Sequence, residues 1–478
     1  MSAPASRPAP LPVPEDIAAL DPAVWPASAR RDARGVLQVG GVDATELAER
    51  FGTPLYVLDE TEVREHARRT VAAFRTAAAR HGALARVYYA GKAFLSTEVV
   101  RWVTSEGMSV DVCSGGELEI ALAAGMEPAH IGFHGNNKST AELERAVEVG
   151  VGTIVLDSII ELERLAAIVQ RHGYTQDVLL RVRSGVHAET HEFLATAHED
   201  QKFGIAMEDA PAVVARIREI EGLRFLGLHC HIGSQIFGVA GFAESASRLV
   251  DLHAELLADG PVPLLNVGGG FGIAYTSADD PNTIEELAAG IANAVAQECE
   301  VRGIRVPELA VEPGRAIVGQ AGVTLYEVGT VKPVLLEGGE ATRTYVSVDG
   351  GMSDNARPAL YGADYTVTLA SRDGDDEPVL VRVVGKHCES GDIVVDRGYL
   401  PADIAPGDLV AVPATGAYCF SLASNYNYVT RPAVVAVADG RARVIVRGET
   451  LADLLSRDAG ILPEGTRMPE QSERSTTK

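Results

Sequence analysis

Apolar and polar positions fall in blocks through the middle of the chain. Between about residues 55 and 330, short runs are nearly all apolar and end in glycine or a polar residue: "RVYYAGK", "SVDVCS", "HIGFHG", "TIVLD", "VLLRVR", "FLGLHCHIGS", "LLNVGGG" and "LAVEPGR". Between these runs come stretches rich in Ala, Leu, Glu and Arg, for example Glu62 to Gly82 and Ser139 to Gly150. Strands read as continuously apolar when both faces are covered, and strand–helix repeats of this length predict a parallel sheet with helical crossovers. The distinctive residues sit at the C-terminal ends of the runs: Lys92, Asp111, His134, Asp157, Arg181, His231, Gly268 to Gly270, and Glu312. One rim that collects all the chemistry predicts a TIM-like α/β barrel, with an open doubly wound sheet as the alternative. Counting "LYVLD" (Leu55–Asp59), there are nine candidate strands for eight places. That segment is therefore a candidate connector.

After Gly329 the rhythm changes. "TRTYVSVDG", "DYTVTLAS", "PVLVRVVGKHC", "DIVVDRGYL", "DLVAVPATGAY" and "ARVIVRGE" are short strands split by Gly, Asp and Pro, with no long helical stretch between them. This predicts an all-β C-terminal domain. The expected organisation is a flexible Pro/Ala-rich arm over 1–34, a segment over 35–57 that packs on the β domain, the barrel over 58–329, the β domain over 330–462, and a flexible tail over 463–478.

Composition narrows the function classes. A chain of 478 residues suits two or three domains. Its net charge of −24, from 42 basic and 66 acidic residues, argues against nucleic acid and anionic membranes as partners. No apolar run reaches the ~18 uncharged residues of a membrane span. The N-terminus lacks a basic stretch leading into an apolar one, so no secretory signal is expected. Five widely spaced cysteines predict neither a disulfide framework nor a zinc ribbon and fit reduced thiols in the cytoplasm.

The chemistry starts at Lys92. A lysine at the mouth of a buried strand is costly unless its amine is neutral or covalently used, although one lysine alone reads more simply as snorkelling to solvent. Gly268 to Gly270 end another strand, and backbone N–H groups on such a loop can close around an anion; a plain tight turn is the simpler reading. "VEPGRAIV" brings Glu312 and Arg315 to one turn. In "HCHIGSQI", His229 and His231 fall on one side of a strand, and Ser234 can donate to a phosphate. No third ligand stands at a metal-like spacing, so no metal is expected. The segment Ser184 to Gly204, with His187, Glu189, His191, His198 and Asp200, reads as a lid over the rim. A lysine nucleophile, an anion-cradling loop, a flat histidine and a carboxylate on one rim together suit pyridoxal 5'-phosphate. A carboxylate at the ring nitrogen strengthens the electron sink, which favours decarboxylation over racemisation.

These motifs, with "DVCSGGELEIALAAG", "FHGNNKS", "NVGGGFGIAY", "DGGMSDNARPALYGA", "GKHCESGDIVV" and "TGAYCFSLASNYN", resemble the fold-type III pyridoxal-phosphate-dependent decarboxylases over roughly residues 35 to 460. Within that family the likeness is strongest to members acting on meso-2,6-diaminopimelate. The resemblance implies a barrel plus a β domain, a homodimer with shared active sites, and release of carbon dioxide and L-lysine. Ornithine, arginine or carboxynorspermidine are the alternative substrates. By position it makes Lys92 the Schiff-base lysine and His231 the ring-stacking histidine. It gives Ser234, Gly268, Gly269, Gly270, Gly314 and Tyr418 to the phosphate and Glu312 to the pyridinium. Pro313, Asp111 and Arg181 would lie close to the cofactor. Arg315, Arg357 and Tyr361 would grip the substrate's distal carboxylate beside Tyr418, Glu389 would read its ammonium, and Cys388 would donate a proton from the other subunit. Ornithine lacks a distal carboxylate, so it would leave the arginines unpaired.

Overall fold

The computed structural model describes residues 13–186, 202–336, 342–374 and 377–461. Strand β1 (Leu55–Asp59) and helix α1 (Glu60–Ala79) lead into the barrel. Its strands are β2 (Ala85–Ala90), β3 (Ser109–Val112), β4 (Ile131–Phe133), β5 (Thr153–Leu156), β6 (Gln176–Arg183), β7 (Leu223–His229), β8 (Leu264–Asn266) and β9 (Glu308–Val311). Each pairs in parallel with the next, and β9 pairs with β2 to close the ring. Closure excludes the open doubly wound sheet. Tyr88, Val155, Leu179, Leu264 and Ala310 fill the interior, while the opposite side chains of the strands join the larger core under the helices. Both faces are therefore covered, which is why the strands read as unbroken apolar runs.

The loops on the C-terminal rim are fixed by local chemistry. Ser96, Ser114, Ser139, Ser158 and Thr283 each cap the following helix by accepting a backbone N–H. At Ser139 and Thr283, Glu142 and Glu286 return the bond to the capping residue's own N–H. Such caps start the helices where the sequence places them and keep the strand ends short.

Past the barrel come β10 (Gly322–Leu335), β11 (Thr342–Val348), the short helix Arg357–Tyr361, β12 (Pro378–Val384), β13 (Ile393–Pro401), β14 (Leu409–Pro413), β15 (Val434–Ala438) and β16 (Arg441–Val446). They form a second sheet in the order β13-β12-β11-β10-β1-β15-β16, with β14 also on β10. Strand β1 thus sits between β10 and β15, in the β domain and not in the barrel. This resolves the surplus of nine strands. All five β1 residues are buried, so its pattern matches a barrel strand, and only its neighbours show which sheet it joins. Strand β15 was absent from the expected strands.

The N-terminal arm is corrected over its described part. Val24 and Trp25 are buried, and Gln320 Nε2 donates to the carbonyls of Pro22 and Trp25 at 2.9 Å. Arg31 donates to Thr368 Oγ1, which ties the arm to the β domain, and in the following segment Leu37 N–H donates to the Ala370 carbonyl of the same domain. A single buried tryptophan, easily overlooked among prolines and alanines, supplies the anchor. Most of the expected lid (187–201 of 184–204) and the whole expected tail (463–478) lie outside the described residues. Among the described residues, no helix is long and apolar enough to cross a membrane.

Candidate active site

One cavity on the C-terminal rim is lined by Ala90, Lys92, His231, Ser234, Gly270, Phe271, Glu312, Gly314, Arg315 and Tyr418. Lys92 sits in a single 3₁₀ turn, Gly91–Ala93, directly after β2. Its residue is exposed, so the amine stands at the cavity mouth and is not buried in the strand. The β domain closes on this turn: the Ala93 carbonyl accepts from Tyr418 N–H at 2.8 Å and from Ser421 Oγ at 2.7 Å. Tyr418 holds a left-handed backbone, φ 65°. A bulky residue takes that conformation only where the surroundings demand it.

Beneath the cavity lies a buried polar network. Asn266 Nδ2 donates to Glu312 Oε1 at 2.7 Å, and His229 Nε2 lies 3.1 and 3.2 Å from the two carboxylate oxygens. His134 Nε2 is 3.3 Å from both Glu312 Oε1 and Asp111 Oδ1. Burial disfavours a charge at Glu312, yet His229 and His134 hold its carboxyl well below the usual range. Burial also opposes charge on His134, but Glu312 and Asp111 raise it to about 9. Burial lifts Asp111 to about 7 against the pull of His134. Burial drops His229 to about 4, so it donates to Glu312 as a neutral ring. Strand β7 ends at His229, and His231 lies beyond it, so the two histidines separate. His229 goes into the network, whereas His231 lines the cavity and accepts from Gly269 N–H at 3.3 Å.

The glycine loop has no room for side chains. A Cβ at Gly268 would meet the Cys230 carbonyl at 2.4 Å, at Gly269 the Glu312 carbonyl at 2.0 Å, and at Gly270 the Gly233 carbonyl at 2.3 Å. Two of its N–H groups are already engaged: Gly268 donates to Asn266 Oδ1 and Gly269 to His231 Nδ1. The expectation that all three close on an anion is therefore narrowed to Gly270, which lines the cavity. Arg315 donates to Ser234 Oγ at 2.9 Å and to the Tyr275 hydroxyl, and stands 4.8 Å over the Tyr418 ring.

Other expected residues are not gathered here. Pro313 contributes its carbonyl to Ala90 N–H. Arg181 lies 4.3 Å over Phe203 and 3.7 Å from Asp157, outside the cavity lining. Arg357 is buried, bonded to the Tyr365 hydroxyl. Tyr361, Cys388 and Glu389 are exposed and line no part of the cavity in a single chain. His134, Asn266, Tyr275 and Tyr365 were given no role from sequence. His134 and Asn266 had a signal, since each stands at a strand end on the rim, and Tyr275 closes the motif "NVGGGFGIAY"; Tyr365 had none.

The pyridoxal-dependent decarboxylase, pyridoxal binding domain, matches residues 63–319. Diaminopimelate decarboxylase of Mycobacterium tuberculosis is 53% identical over 445 residues, 91% of this chain and 98% of that one. The chain belongs to the diaminopimelate decarboxylase family. The Bacillus subtilis member is 44% identical over 90% of this chain and 97% of its own. The diaminopimelate decarboxylase structure from M. jannaschii superposes with a TM-score of 0.84 at 32% identity, covering 92% of this chain and 99% of that one. A second M. jannaschii structure, in co-complex with L-lysine, has a TM-score of 0.83, 32% identity and coverage of 92% and 98%.

The site fits the family's cofactor. The tight glycine loop keeps one wall free of side chains. Ser234 and the Gly270 N–H offer donors to a phosphate, Glu312 offers an anion to a ring nitrogen, and Lys92 offers an amine at the mouth.

The His134 environment carries a pH signature. Its folded pKa lies above the unfolded ~6.5, so its contribution to stability is complete below pH 6.5 and is lost as pH rises through about 9. In cofactor-free protein, Tm is expected to fall more steeply between pH 7 and pH 9 in wild type than in His134→Gln. Parallel Tm curves would refute this charge assignment.

Proposed function

We propose that this protein decarboxylates meso-2,6-diaminopimelate to L-lysine and carbon dioxide with pyridoxal 5'-phosphate, the last step of lysine biosynthesis. The observation that carries this reading is a single cavity, in a chain of this family, that collects Lys92, His231, Ser234, Glu312, Arg315 and Tyr418. Lys92 would hold the cofactor through its amine, with Ser234, Gly270, Gly314 and Tyr418 at the phosphate and His231 against the ring. When bound, pyridoxal phosphate supplies the electron sink that takes up the electron pair left by the departing carboxylate. Glu312, kept anionic by the network beneath it, holds a proton at the ring nitrogen. Arg315 and Arg357, with Tyr361, bind the substrate's distal carboxylate, and Glu389 its ammonium. Lys92 or Cys388 then delivers a proton to the carbon that lost its carboxylate.

Cys388 and Glu389 are exposed and lie outside the cavity lining of their own chain, so in this reading they serve the site of a second copy and the enzyme acts as a homodimer with shared sites. Supporting this, Leu360, Tyr361, Tyr426 and Tyr428 are exposed on the same β domain. The five free cysteines suit a reducing cytoplasm. Mixing Lys92→Ala and Cys388→Ala chains is expected to restore roughly one quarter of wild-type activity, because half of randomly paired dimers are mixed and each has one intact site. Absence of recovery would exclude shared sites.

The deciding assay is carbon dioxide release by the cofactor-loaded protein from meso-diaminopimelate, ornithine, arginine and lysine in parallel. Release from diaminopimelate alone, with L-lysine formed, is expected. Release from ornithine or arginine would overturn the distal pocket while leaving the cofactor site in place.

A further inference from the structure

Arg315 and Arg357 are both buried, at 9% and 6% exposure. Among the described residues they meet hydroxyls and aromatic rings and form no ion pair. Arg315 donates to Tyr275 and Ser234 hydroxyls, and Arg357 to the Tyr365 hydroxyl. Buried cations without an anion are costly, and a low-dielectric setting makes them strong receptors for one.

Tyr275 stands between the two. Its hydroxyl accepts from Arg315, while its ring lies 4.5 Å from the Arg357 guanidinium. The ring is held in turn: Tyr365 packs against it edge-on with centroids 5.2 Å apart, and Asp279 Oδ2 accepts the backbone N–H groups of Tyr275 and Thr276 at 3.0 Å. A tyrosine can serve one guanidinium with its oxygen lone pairs and another with the negative face of its ring. No aliphatic side chain offers either.

We propose that Tyr275 is a positioning and specificity-determining residue: it spaces and aims Arg315 and Arg357 as a two-guanidinium receptor for the carboxylate at the substrate's distal end. This rests on the substrate reading above. It adds that affinity for the distal carboxylate depends on a residue assigned no contact with it.

The test compares two ligands of the holoenzyme that differ in that carboxylate. L-Lysine carries it, and 1,5-diaminopentane does not. Tyr275→Phe removes the hydroxyl and keeps the ring. Loss of one hydrogen bond to a charged group is expected to weaken L-lysine binding about tenfold. The KM for meso-diaminopimelate should rise by a similar factor, with kcat within about threefold of wild type. Binding of 1,5-diaminopentane and of the cofactor should be unchanged. Tyr275→Leu, which also removes the ring face from Arg357, should weaken L-lysine further and again spare the diamine. Equal weakening of both ligands, loss of cofactor in Tyr275→Phe, or unchanged L-lysine affinity would overturn the proposal. Wild-type enzyme that ignores diaminopimelate would instead refute the substrate reading, and the L-lysine to diamine comparison would still report on Tyr275.

Discussion

Lys92→Ala is expected to leave no more than about a thousandth of wild-type decarboxylation, because in the proposed reading it removes both the cofactor's covalent anchor and a group that returns a proton. The substitution should cost little in folding. Lys92 is exposed at the cavity mouth, in a short turn whose backbone is held by Tyr418 and Ser421. Tm of the cofactor-free variant should therefore match wild type. The visible absorption of lysine-bound cofactor should disappear, and added pyridoxal phosphate should not restore turnover. Near-normal carbon dioxide release from this variant would remove Lys92 from the chemistry.

Glu312→Gln is the second large effect, an expected fall of about a hundredfold in kcat, the range seen when one preorganised electrostatic group is lost at a reacting centre. The amide keeps the size of the side chain and leaves Asn266 and His229 a carbonyl oxygen to donate to. What it removes is the charge that His134 and His229 stabilise. In the proposed reading that anion would hold a proton on the cofactor's ring nitrogen, and its loss would weaken the electron sink. The KM for diaminopimelate should move much less than kcat, since the distal arginines are untouched. A variant with wild-type kcat would show that the carboxylate has no part in the step.

Several of these residues were legible in the sequence because local rules place them. Lys92, Glu312 and the glycines each end an apolar run, and in an α/β barrel strand ends converge on one rim. The motifs around them carried the family assignment. Other features followed from contacts between distant segments. Strand β1 reads like a barrel strand and lies in the β domain, because an all-buried pattern reports burial and not the identity of the neighbour. Trp25 and Val24 lie in a Pro/Ala-rich stretch whose composition suggests a flexible arm, yet both are buried near Gln320.

The amino-acid sequence by itself determined the strand–helix repeat, the β domain after it, the rim on which the strand ends gather and the kinship, all of which depend on short-range pattern; that the repeat closes into a barrel came from the pairing of β9 with β2. Only the tertiary structure decided how charge is distributed around the cavity. His134 meets Asp111 and Glu312 across three strands, and Tyr275 stands between two arginines 40 and 82 residues further along the chain. Burial and proximity set the proton on His134 and the anion on Glu312, and neither can be read from the sequence, because the residues concerned are neighbours only in space.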